Sequence, residues 1–249
     1  MTLTIGSLFS GIIGGLELGL ERAGLGPVLF QVESDPYCLM VLEKHWPTVP
    51  RFADVRSVGS ELPRPDILCG GFPCQGNSSA GKGLGLKDPR SALWYEFRRI
   101  AEALSPAVVV VENVASGARR WLPHVRRDLH VLGYRTRAFQ LSAEEVGAPH
   151  ERARIFVVAH ADGTRLEERC KQQAWRQRAA AQRSGVPDDP WAAEPGVGRV
   201  AHGVPHRVDR IRALGNAVVP QCAETIGRVI AATIVNRKPR GCVKTRGGT

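Results

Sequence analysis

TLTIGSLFSGIIGGLELGLERAGLGPVLFQVE, residues 2–33, reads as one strand, turn, helix and strand. TLTIGSLF at 2–9 is an apolar run of strand length. Gly11 to Gly15 form a glycine-rich turn. Leu16, Leu20 and Ala23 then recur at helical spacing, and Gly24 is a natural stop. VLFQVE at 28–33 is a second buried strand that ends on an acid, Glu33, nineteen positions after Gly14.

The same alternation continues outward. Pro36 suits the first turn of a helix that ends near His45 and Trp46. DILC at 66–69 is a short strand running into the loop GGFPCQGNSSAGKG. Leu93, Phe97, Ile100 and Leu104 mark an amphipathic helix, and AVVVV at 107–111 and RIFVVA at 154–159 are apolar strands. Strands alternating with helices predict an α/β fold with parallel crossovers, a doubly wound sheet, and ligands bound at the strands' carboxyl ends. The least ordinary loops all follow those ends. Residues 160–205 break the pattern, with no core-like strand. Between 163 and 187 stand six Lys or Arg against two acids. Pro220 opens a last helix, with Cys222, Ile226, Val229, Ile230 and Ile234 on one side. The expected organisation is a main domain over 1–160, a small lobe over 161–206, a segment over 207–236 packing back on the sheet, and a basic tail over 237–249.

The chain has 249 residues, of which 43% are hydrophobic and 23% charged. That composition suits a globular protein with a sizeable core and argues against disorder. No apolar run reaches membrane-spanning length, and no basic leader precedes the first strand, so neither a span nor a signal peptide is expected. Net charge is +10, which fits a polyanionic partner and equally a merely basic soluble protein. None of the six cysteines forms a C-x-x-C pair, so a metal site is not expected. Scattered thiols suggest a reducing, cytoplasmic setting.

At the first strand end, glycines let backbone approach a ligand, and Glu33 can accept bonds from ribose hydroxyls. The alternative is an ordinary tight turn with Phe9 in the core. The G-x-G-x-x-G spacing is absent, which argues against a nicotinamide cofactor. Elsewhere, Cys74 follows Pro73 and precedes a polar loop, so it should be rigidly placed yet reachable. Its thiolate would suit attack on an electron-poor carbon, although a lone loop cysteine is often inert. VVVVENV places Glu112 at the end of an apolar strand, where desolvation raises a carboxyl pKa and suits a proton donor. A helix cap is the plainer reading. In PHERARIF, Arg152 and Arg154 alternate with Ala153 and should share one face, as a nucleotide or phosphate site or as a salt-bridged edge.

Taken in order, these segments resemble the cytosine-C5 DNA methyltransferase family. FSGIIGG is similar to its first motif, QVESD to its second and ADV at 53–55 to its third. GGFPCQGNSSAG resembles the catalytic-cysteine motif, VVENV the Glu-Asn-Val motif, APHERARIF the motif ending in R-x-R, and RALGNAVVP at 212–220 the late Gly-Asn motif. The resemblance covers roughly residues 2–160 and 207–235. It implies a Rossmann-like methyltransferase sheet with a small target-recognition lobe.

It also implies S-adenosyl-L-methionine as cofactor and double-stranded DNA as partner. A cytosine is flipped from the stack, Cys74 attacks C6 and Glu112 protonates N3. Arg154 contacts the base, Arg152 lies nearby and Asn113 braces the cysteine loop. Phe9, Ser10, Gly11, Gly14, Gly15, Glu33, Ser34, Asp54 and Val55 would line the donor site, closed by Asn216 and Val218. Gln75 and Ser78 would meet DNA. In the short recognition segment, Arg165, Arg169, Lys171, Arg176 and Arg178 suit phosphate contacts. A cognate restriction endonuclease would be a functional partner of a monomeric enzyme. An RNA cytosine methyltransferase, or a DNA-binding protein without turnover, are the competing readings. The chain departs from the family pattern in three places. Its first glycine loop is one residue longer, leaving open which of Ile12, Ile13 and Gly14 meets the donor. His150 stands where Gln is usual, and Gly76-Asn77 replaces a bulkier pair.

Overall fold

A computed structural model describes residues 3–73, 93–161 and 207–232. The elements are β1 (Ile5–Leu8), α1 (Gly15–Arg22), β2 (Val28–Val32), α2 (Pro36–His45), β3 (Arg51–Phe52), β4 (Ile67–Gly70), α3 (Leu93–Leu104), β5 (Val108–Val114), α4 (Ala118–Val131), β6 (Tyr134–Leu141), β7 (Arg154–Ala161), α5 (Arg207–Asn216) and α6 (Pro220–Ile230). They build one seven-stranded sheet of order β3-β2-β1-β4-β5-β7-β6.

The run of valines in β5 is explained by burial on both faces. Val109 and Val111 face a core built with Trp94, Phe97 and Ile100 of α3 and Trp121, Val125 and Leu129 of α4. Val108 and Val110 face the opposite core, with Leu16 and Leu20 of α1 and Ala223, Ile226 and Ile230 of α6. Each large side chain buried this way contributes ~1.5–3 kcal/mol. One polar bond crosses the first core, where Trp94 Nε1 donates to Asp128 Oδ2 at 2.9 Å and links α3 to α4.

The C-terminal helix α6 packs on α1, and small residues allow it. A Cβ on Gly19 would lie 2.5 Å from the Ala223 Cβ, and one on Gly227 would lie 2.6 Å from the Ala23 Cβ. At α2, Asp35 caps the helix by accepting from the Tyr37 and Cys38 amides, with Pro36 in the first turn.

On one side the sheet is antiparallel. β7 runs antiparallel to both β5 and β6. β6, YRTRAFQL, mixes arginines with apolar residues because it is an edge strand, largely exposed between its ends. That lack of a buried stripe hides it from hydrophobic pattern reading. The consequence for the site is direct. Reversal of β7 sets its first residue, Arg154, opposite Val114 at the carboxyl end of β5.

Candidate functional site

The carboxyl ends of β1, β2, β4 and β5 converge with the start of β7 on a cleft of about 570 Å³. The strand order reverses between β1 and β4, the place where open α/β sheets bind ligands. Of the residues expected from sequence, Phe9, Gly11, Glu33, Ser34, Asp54, Val55, Glu112, Asn113, Arg154 and Asn216 all line this cleft.

At one end, the chain leaves β1 through two left-handed residues, Phe9 (φ 56°) and Gly11 (φ 66°). A bulky residue in that region is strained, and here the strain turns Phe9 to the cleft wall. Glu33 holds the loop in place. Its Oε2 accepts from the Gly11 amide at 2.7 Å, and its Oε1 accepts from the Ser34 and Asp35 amides at 2.8 Å each. Asp54 accepts from the Arg56 amide at 2.9 Å, and its side chain is half exposed.

The longer glycine loop is accommodated by burying Ile12. Ile12 packs with Cys38 of α2 and Ala213 of α5, and it lines the cleft together with Gly11. Gly14 (φ 51°) is the left-handed N-cap of α1. Gly15 lies under the C-terminal segment, where a Cβ would sit 2.2 Å from the Val218 carbonyl oxygen. Gly14, Gly15 and Val218 therefore support the loop from behind and do not line the cleft. Ser10 turns inward, its hydroxyl donating to Ser7 at 2.8 Å.

At the other end, Glu112 is 9% exposed and its Oε1 lies 2.9 Å from Arg154 Nε. Burial pushes its carboxyl up to about 7, against the opposing pull of Arg154 and Arg152. Gly71 passes directly over it, since a Cβ there would fall 2.6 Å from Glu112 Oε2. Asn113 donates from Nδ2 to the Phe72 carbonyl at 3.1 Å, while its Oδ1 accepts from the Val114 amide. Asn113 thus anchors the chain two residues before Cys74. Cys74, Gln75, Ser78, Arg165, Arg169, Lys171, Arg176 and Arg178 lie outside the described residues.

The two arginines of R-x-R diverge. Arg152 precedes β7, so strand alternation does not govern it. Its Nη2 donates to the Gly215 and Ala217 carbonyls at 2.6 and 2.8 Å. It joins the β7 approach to the turn that carries Asn216. Sequence reasoning also missed Asp35, whose Oδ2 meets Arg212 Nη2 at 2.7 Å and ties α2 to α5. Both residues line the cleft. No motif marks this pair, which forms only because α5 returns to the first half of the sheet. Among the described residues, no cluster of His, Cys, Asp and Glu could hold a metal, and no helix is long and apolar enough to cross a membrane.

This arrangement combines a glycine and carboxylate cradle with a buried carboxyl–guanidinium pair in one cleft. Comparison with known proteins gives it a family. The type II methyltransferase M.NgoBI of Neisseria gonorrhoeae is 38% identical over 160 residues, 62% of this chain and 50% of that protein. M.HaeII of Haemophilus aegyptius is 36% identical over 169 residues, 64% of this chain and 51% of that one. The chain spans about half the length of these curated relatives. The solved Entamoeba histolytica methyltransferase EhMeth shares the fold, with a TM-score of 0.58, 19% identity, and coverage of 66% of this chain and 55% of that one. The C-5 cytosine-specific DNA methylase model matches residues 3–190, three quarters of the sequence, and the chain belongs to that family.

Proposed function

We propose that this protein is a DNA (cytosine-5)-methyltransferase that moves a methyl group from S-adenosyl-L-methionine to C5 of a cytosine flipped out of duplex DNA. The observation that carries the reading is Glu112. Its carboxyl is buried beside Arg154, is protonatable near neutral pH, and shares a cleft with the glycine cradle.

The first-strand end suits an amphipathic, positively charged nucleoside. A Cβ on Gly11 would meet nothing within 4 Å, so the cradle has open space beside it. Glu33 and Asp54 offer carboxylate acceptors for ribose hydroxyls and an adenine amine, and Phe9 offers an apolar wall. When bound, the donor supplies an electrophilic methyl group. Asn216, Arg212 and Ala213 close the cleft from α5.

At the reactive end the Cys74 thiolate bonds to C6 of the base. The displaced ring electrons are captured as the Glu112 carboxyl gives its proton to N3. C5 becomes nucleophilic and would take the methyl group of a bound donor as the methyl–sulfonium bond breaks and the donor leaves as its neutral thioether. A base removes the C5 proton, the C6–sulfur bond breaks, and N3 returns its proton to Glu112. Arg154 keeps Glu112 oriented and faces the base, while Asn113 holds the backbone that leads to Cys74. Basic residues at 165–178, together with Gln75 and Ser78, would grip the DNA. The enzyme would act as a cytoplasmic monomer, paired in function with a restriction endonuclease.

The test is duplex DNA carrying 5-fluorocytosine at the target, whose fluorine cannot leave as a proton does. With donor supplied, the wild-type chain should become covalently attached. Cys74→Ala should show neither attachment nor methyl transfer while still binding donor. Turnover by Cys74→Ala would refute the mechanism.

A further inference from the structure

The described surface is electrostatically lopsided. Residues 3–73 hold five Lys or Arg and eight acids, whereas residues 116–141 hold six Arg and one acid, Asp128. That single acid is buried in the core, bonded to Trp94 and Arg127. The segment comprises α4 and the edge strand β6, next to the reactive end of the cleft.

Helical spacing sorts α4 cleanly. Trp121, Val125 and Leu129 point into the core, while Arg119, Arg120, Arg126 and Arg127 are all exposed on the outward face. The arginines form two pairs seven residues apart, about 10 Å along the axis. That separation is comparable to the ~12 Å width of a DNA major groove. Arg126 donates to the Thr136 hydroxyl and Arg127 to Asp128. The side chains of Arg119 and Arg120 have no hydrogen-bond or ion-pair partner among the described residues. Both stand in the first turn of α4, where cations oppose the helix dipole, so helix stability does not account for them. All four are arginine, the side chain that grips phosphate oxygens bidentately.

Position completes the argument. Val114 lines the cleft, and its carbonyl accepts from Trp121 Nε1 at 3.1 Å. α4 therefore starts at the cleft mouth and runs down the flank of the sheet.

We propose that the outer face of α4 is a second DNA contact, taking the phosphate backbone of duplex that flanks the target base. The inference rests on the reading of the chain as a DNA methyltransferase and adds a surface outside the recognition segment. The experiment measures binding of a 30-bp duplex by fluorescence anisotropy across a salt series, with the full chain. Arg119→Gln/Arg120→Gln should weaken binding tenfold or more at low salt. It should also lower the slope of log K against log salt by about one to two, since each neutralised phosphate contributes ~0.9. Donor affinity should not change. Arg22→Gln/Lys44→Gln removes equal charge from exposed positions on α1 and α2 and should leave both quantities alone. The proposal is overturned if the α4 variant matches wild type, if both double variants weaken equally, or if the α4 variant loses only tRNA binding. A wild-type chain that binds no duplex would instead overturn the underlying reading.

Discussion

Glu112→Gln tests the electrostatics of the reactive end directly. The carboxyl rises from its ordinary 4.5 to about 7, mainly because burial disfavours the charged form. At about 1.4 kcal/mol per pH unit, that is roughly 3 kcal/mol of native-state preference for the protonated group. The sign follows from proton counting. Between pH 4.5 and 7 the native state keeps a proton that the unfolded chain has released, so rising pH removes stability. The contribution is fully present below 4.5 and gone above 7. Glutamine has the shape of the protonated acid and can still accept from Arg154, but it does not titrate. The stability of wild type relative to Glu112→Gln should therefore fall by roughly 3 kcal/mol between pH 4.5 and 8. Glu17, also buried and raised to about 7, is common to both proteins and cancels in the difference. Urea midpoints at pH 5, 6, 7 and 8 give the comparison. A difference that stays flat with pH would show that Glu112 is not desolvated in the native state, and with it the case for a proton donor would fail.

Three other outcomes follow from the packing and the bonds. Glu33→Ala releases the Gly11, Ser34 and Asp35 amides and should weaken donor binding about 10- to 100-fold, at ~1–3 kcal/mol for lost charge-assisted bonds; calorimetry showing an unchanged constant would remove Glu33 from the site. Gly15→Ala forces a methyl against the Val218 carbonyl and should cost about 1–3 kcal/mol of stability, read as a lower denaturation midpoint. Arg152→Ala frees the Gly215 and Ala217 carbonyls and should raise KM for the donor more than it lowers kcat, with Arg152→Lys partly restoring it. Equal loss in kcat and kcat/KM would instead point to a role in the chemical step.

Much of the site was legible because it is local. Phe9, Glu33 and Glu112 sit where an apolar run stops, and a strand's carboxyl end can be recognised from the run and the turn that follows. The Asn113 brace was implied by the family resemblance, and the bond Asn113 makes reaches only the neighbouring strand end. What escaped involves partners far apart in sequence. Arg152 meets carbonyls 63 and 65 positions away, and Arg212 meets an acid 177 positions away. Neither contact leaves a periodic or compositional trace. α4 and β6 were missed for a different reason, since their arginines dilute the apolar signal that reveals an element.

By itself, then, the order of residues determined the α/β alternation and the strand-end placement of the acids, because each depends on spacing within a few turns of chain, while the family came from the resemblance of seven motifs taken in order. Tertiary structure alone decided that β7 runs backwards to deliver Arg154 to Glu112, that Ile12 absorbs the extra loop residue against α2 and α5, and that Arg152 serves the C-terminal turn. Those outcomes depend on which surfaces meet after the sheet closes. Such meetings are set by steric fit between distant segments, as where the backbone over Gly15 leaves no room for a single methyl group.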